Sequence, residues 1–213
     1  MENRTKNSRY EDVQRGFAYL EIAIWCVIMV PLGLLAAGTV GIIHDHIRMQ
    51  QIPVSALREF SAPALRLRVG VGEGQIEINN AAMQGVIRSI SDRIFADGER
   101  SLIGGITDVS AAACYWVFRV DQSTGKLTSR EREVCERRGA LGDNISFSQN
   151  LTEYRDGVVG YPLSPQSSVV HFMEYAVLVG GAVAGRLHPI VPTEKESLIQ
   201  FVRISLPRQE VSL

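Results

Sequence analysis

The stretch Phe17 to Ile43, FAYLEIAIWCVIMVPLGLLAAGTVGII, decides how the rest of the chain is read. Its 27 residues include one side chain that is charged at neutral pH, Glu21. A helix needs about 20 mostly apolar residues to cross a bilayer, and there every backbone polar group must be satisfied within the helix itself. The apolar core of a removable signal peptide is shorter, about 7–15 residues. Ala36-Ala37-Gly38 mimics a cleavage site of that kind, but it lies far along a run that is too long for one. Glu21 falls about 6 Å along the helix from Phe17. An acid at the centre of a span costs roughly 2.5–3.5 kcal/mol, and less near its end. Ahead of the run stand Arg4, Lys6, Arg9 and Arg15 against Glu2, Glu11 and Asp12, whereas the stretch beyond it to Ala62 has only Arg48 and Arg58. This Lys/Arg excess predicts a cytoplasmic N-terminus.

The leader ends in Gly16, Phe17 follows, and the acid is the fifth residue of the apolar helix. This constellation resembles the class III signal of type IV pilin-like proteins. The segment RGFAYLEIAIWCVIMVPLGLLAAG, with its Pro31-Leu32-Gly33-Leu34-Leu35 block, is most similar to TadE-like pseudopilins of tight-adherence (Tad) pilus systems. Two features depart from that pattern: Pro31 lies later, and Ile22 follows Glu21 where an aromatic is common. The resemblance covers about residues 9–43, and the minor pseudopilins of type II secretion share the Gly-Phe-x-x-x-Glu signature. It implies that a prepilin peptidase cuts between Gly16 and Phe17. It also implies that Glu21 is an assembly residue, pairing with the N-terminal ammonium of a neighbouring subunit so that two charges costly in lipid offset each other. The implied partners are the inner membrane, the peptidase, other pilins or pseudopilins, and the Tad secretion machinery. The alternative is a signal anchor that stays uncleaved and carries a periplasmic binding or accessory module.

Composition fits one span and one exported domain. With 22 Lys+Arg against 23 Asp+Glu, the chain has no basic footprint for nucleic acid. About 170 residues follow the apolar run, enough for a single core. The expected organisation is a basic leader over 1–16, a transmembrane helix and stalk over 17–52, and an exported domain over 53–213. The fold class is α+β, with a long N-terminal helix before a small mixed domain containing an antiparallel sheet.

Beyond the span, HDHIRMQQIP continues the helix as a stalk to about Gln51, because no breaker precedes Pro53. His44-Asp45-His46 reads as interfacial polarity: adjacent residues on a helix point in different directions, and three candidate ligands make a thin metal site. LRLRVGVGEGQIEI, residues 65–78, alternates with period two and predicts two strand segments around a turn. Its G-x-G-x-G spacing lacks the βαβ context of a nucleotide loop. Asn79 or Asn80 caps a helix whose inner face is Met83, Ile87, Ile90 and Ile94, ending at Gly98.

Cys114 to Asp121 is rich in aromatic and β-branched residues and predicts a strand. It turns at Gln122 to Gly125 and returns through Leu127 towards Cys135. Cys114 and Cys135 are expected at the open end of this hairpin, joined by a disulfide in an oxidising compartment, while Cys26 stays free in the apolar helix. Further strands are expected at Val169 to Gly181 and Gln200 to Leu206, and a polar connection or surface lobe at Asn144 to Pro165. No catalytic residues, metal ligands or cofactor are expected. The combinations available to an enzyme, His171 or His188 with a serine, or the acids Glu131 with Glu133 and Asp97 with Glu99, sit in no motif that sets the geometry.

Overall fold

The computed structural model describes residues 3–58, 65–70, 73–121, 123–156, 174–188 and 197–206. A single helix, α1, runs from Asn3 to Arg58. A hairpin follows, β1 (Leu65–Gly70) and β2 (Glu73–Ile78), then α2 (Asn80–Ser101), β3 (Ile106–Val120) and β4 (Leu127–Arg138). A short 3-10 turn at Gly142–Asn144 and α3 (Ser148–Asp156) lead to β5 (Tyr175–Leu187) and β6 (Ser197–Ser205). The architecture is α+β, with a four-stranded antiparallel sheet in the order β4-β3-β5-β6 and the β1-β2 pair apart from it.

The two halves of α1 obey different rules. From Tyr19 to Val40 every side chain is exposed, so the helix is apolar all round with no protein against its most apolar window. A helix of this kind belongs in a core or in a membrane, and this one is long and apolar enough to cross a bilayer. Thr39 donates its hydroxyl to the Leu35 carbonyl at 2.7 Å and so satisfies itself within the helix. Beyond Ile43 the helix becomes one-sided: Asp45, Met49, Ile52, Pro53, Ala56 and Leu57 are buried at spacings of three and four. The helix therefore outruns the expected end at Gln51. Pro53 removes one intrahelical donor, but it is itself buried, and packing of the inner face holds the last turns in spite of it.

α2 follows the expected pattern, with Met83, Ile87, Ile90 and Ile94 all buried. Of the two cap candidates it is Asn79 whose side chain accepts from the Ala82 amide at 3.1 Å. Gly98 does not end the helix, which continues to Ser101. Its hydrogen lets α2 approach Val109, since a Cβ there would lie 2.6 Å from a Val109 methyl.

The sheet has a core on each face. Towards α1 and α2 it presents Ala111, Ala113, Tyr115 and Val117 from β3 and Val177, Val179 and Val183 from β5. Trp116, Cys114, Phe118 and Leu178 point the other way, beneath Ile145 and Phe147. The Trp116 and Phe147 rings meet edge to face at 5.1 Å, a favoured aromatic geometry. The segment expected as a surface lobe thus closes the second face through its first residues, while its remainder beyond 156 lies outside the described residues.

The hairpin places Cys114 opposite Cys135, and the two are joined as a disulfide. They are not at its open end: β3 starts at Ile106, and pairing with β4 continues to Ala111 opposite Arg138. At the turn, Asp121 accepts from the Ser123 amide and hydroxyl and its carbonyl from the Gly125 amide, while Gly125 takes φ 69°. β5 begins later than expected and reaches Leu187, and β6 begins three residues before the expected Gln200. Residues 169–173 of that expected strand lie outside the described residues.

Two glycines of α2 should respond in opposite directions to the same substitution. Gly85→Ala meets nothing within 4 Å and should stabilise the protein by about 0.5–1 kcal/mol through helix propensity. Gly98→Ala forces Val109 to shift and should destabilise by about 1–2 kcal/mol. Urea denaturation of the detergent-solubilised chain followed by circular dichroism measures both.

Candidate functional site at the helix and domain junction

The residues expected to carry function lie along α1. Gly16 and Phe17 fall inside its unbroken helical backbone, and Phe17 and Glu21 are both exposed on its surface. Cys26 is free and exposed.

At Asp45 the structure corrects the reading of His44-Asp45-His46 as interfacial polarity, and the arrangement around this residue has the most developed chemistry. Asp45 is completely buried and faces the loop between α2 and β3. One carboxylate oxygen accepts from the Gly105 amide at 2.6 Å and the Ile106 amide at 3.1 Å. The other accepts from the Ile103 amide at 2.8 Å and lies 3.1 Å from His44 Nδ1. Three backbone donors entering β3 are thereby satisfied by one side chain from α1. Buried amides of this kind need a partner, and a carboxylate makes the stronger, charge-assisted bond.

Glycine makes the approach possible. A Cβ on Gly105 would fall 2.7 Å from the backbone of Gly41 and Ile42, so no other residue lets the loop lie flat on α1. Gly104 takes φ 105°, a conformation glycine adopts at little cost. The Gly105 carbonyl accepts from the His188 amide at 2.9 Å, which joins the end of β5 to the same point. Asp45 therefore gathers the helix, the loop and the far end of the sheet at one place.

A usable signal was present in the sequence. Asp45 precedes Met49, Ile52, Pro53 and Ala56 on the inward-facing stripe of α1, so its burial follows from extending that stripe back one turn. Its neighbours behave differently. His44 is partly exposed, and His46 stacks edge-on against Phe201 at 4.8 Å. Among the described residues, no group of three or more His, Cys, Asp or Glu side chains is placed to hold a metal ion. Glu133 pairs with Arg130 at 2.6 Å and Asp97 with Arg93 at 3.6 Å. His188 lies at the junction, and His171 falls outside the described residues.

Burial alone would raise the Asp45 carboxyl above its ordinary pKa. The Ile103 amide, His44 and the Gly105 and Ile106 amides outweigh it and hold the group below that value. A depressed folded-state pKa contributes stability in full above the ordinary aspartate value of about 3.9. That contribution is lost as pH falls through the lower folded value. Asp45→Asn turns an amide towards donors, and Asp45→Ala leaves them unpaired; each should cost on the order of 3 kcal/mol at neutral pH. Thermal melts across pH should show the gap between wild type and Asp45→Asn narrowing as the solution is acidified below pH about 4. A gap independent of pH would mean that the carboxylate charge contributes nothing.

No protein-family model, curated protein or solved structure matches this chain.

Proposed function

We propose that the chain is a minor pilin or pseudopilin of a Tad-type, type IV pilin-like pilus assembly system. In this reading α1 holds it in the bacterial inner membrane with its N-terminus in the cytoplasm, and the sheet domain lies in the periplasm or outside the cell. One observation carries the proposal. A single helix combines an all-round exposed apolar stretch, bearing Glu21 four residues after Phe17, with last turns built into the core of an antiparallel sheet. Such a helix delivers its domain in a fixed orientation wherever the helix is taken. Subunits that assemble through their helices need this property.

Glu21 supports the same reading. It is the one acid in the apolar run, and an unpaired acid at the edge of a span still carries part of the cost of one at its centre. A partner ammonium supplied by a second subunit offsets that cost. The disulfide joining Cys114 and Cys135 agrees with an oxidising compartment for the domain. The unbroken backbone through Gly16 favours a second reading, in which the helix is an uncleaved anchor for an accessory module.

Intact-mass analysis of membrane fractions from cells containing the cognate prepilin peptidase separates the two. The assembly reading expects a chain beginning at Phe17, with Gly16→Val blocking the cut; a mature chain retaining Met1 supports the anchor. Glu21→Leu keeps a strong helix former and makes the span more apolar, so membrane abundance should hold while co-purification of pilus subunits falls sharply. Undiminished co-purification at equal abundance would remove Glu21 from assembly.

A further inference from the structure

A groove of about 440 Å³ runs between α1 and the loop that Asp45 holds. Its helical wall includes Pro31, Leu34, Leu35 and Gly38, and its other side is formed by Ile103 to Gly105, with His188 also lining it. Ile103 is 65% exposed, although its amide is fixed on Asp45. An isoleucine side chain held largely in water forgoes stabilisation that burial would bring, and here the backbone is pinned in the position that displays it.

The length of α1 sets the depth of this groove. From Glu21 to Ile42, where Gly105 rests on the helix, the chain rises about 31 Å at 1.5 Å per residue. The hydrocarbon layer of a bilayer is about 30 Å thick. With Glu21 at one boundary, Gly41 and Ile42 fall at the other, so the loop sits at the outer boundary and the groove opens below it towards Pro31. Its helical wall is the surface of the span itself. Apolar side chains at this level lie among lipid tails, and Thr39 has already turned its hydroxyl to Leu35.

We propose that this groove takes an acyl chain of a membrane phospholipid, and that Ile103 dips into the outer boundary to seat the domain on the membrane surface. The proposal rests on insertion of α1, which both the assembly and the anchor readings require, and it is independent of cleavage or pilus assembly. Asp45 acts as a positioning residue, holding the loop at that depth.

The test uses the full chain with Cys26→Ala and Ile103→Cys, labelled at position 103 with an environment-sensitive fluorophore under non-reducing conditions and reconstituted in phosphatidylethanolamine–phosphatidylglycerol vesicles. The expected result is a blue-shifted emission, quenched by lipids brominated on the acyl chain and shielded from aqueous iodide. A water-like emission quenched by iodide overturns the proposal. Quenching that disappears on dilution into excess lipid, with cross-linking between copies through position 103, also overturns it, because a second chain is then the occupant.

The same label placed by Val27→Cys separates the proposal from the reading beneath it. Deep quenching at 27 without quenching at 103 rejects the groove alone, and no quenching at 27 rejects insertion and the groove together. Gly38→Phe tests occupancy directly, since a Cβ at Gly38 meets nothing within 4 Å and the ring fills the groove without disturbing the fold. Native mass spectrometry should show phospholipid retained by the wild type and lost from Gly38→Phe. Equal retention by the two proteins overturns the proposal.

Discussion

The rest of the structure depends on one buried carboxylate. Without Asp45, the buried Gly105 and Ile106 amides and the part-buried Ile103 amide lose their shared partner, and the loop beside them loses the bonds that hold it against α1. With it, a helix that would otherwise be only an apolar rod becomes the first element of a folded domain. The charge is tolerated because its oxygens are filled by amides fixed in the fold, and a buried charge is stable only under such conditions. Hydrophobic packing of Met49, Ile52 and Leu57 supplies the bulk of the contact, but packing is non-directional. The carboxylate sets the angle and the level at which helix and sheet meet.

The sheet domain is built around strands that are covered on both faces. α1 and α2 cover one face and the 145–147 segment the other, which leaves β4 and β6 as edges. β4 presents a row of charges, several of them tied across to α2: Arg132 to Asn80, Arg138 to Asp92 at 2.5 Å and Gln84 to Glu136 at 3.3 Å. Exposed pairs of this kind contribute modestly to stability, about 0–1 kcal/mol each. A charged edge also discourages unwanted strand pairing.

Much of this architecture was legible in the sequence wherever periodicity was strong. The apolar run to Ile43, the inner face of α2 and the 65–78 hairpin each follow a spacing that a single element imposes. What escaped notice has physical reasons. In the first part of β3, Ser110 to Ala113 are buried in succession and mostly alanine, so they show no alternation; ahead of them the exposed Asp108, at φ 51°, interrupts the register. The helix passed Pro53 because burial outweighed a local preference. In sequence Asp45 is one polar residue among several after the apolar run, since the donors it serves lie about sixty residues away. Spacing within α1 placed it on the buried face, but only the fold revealed what it meets there.

The disulfide has a consequence under mechanical load. When the domain is pulled between α1 and its last strand, tension passing along the chain reaches Cys114 and crosses directly to Cys135, 21 residues on. The loop between them carries no force and cannot be drawn out. At roughly 3.3–3.6 Å per extended residue, about 70 Å of contour length is withheld from extension. The bypassed hairpin carries Trp116 and Phe118, so the centre of the second core stays tethered to itself even after the strands around it have separated.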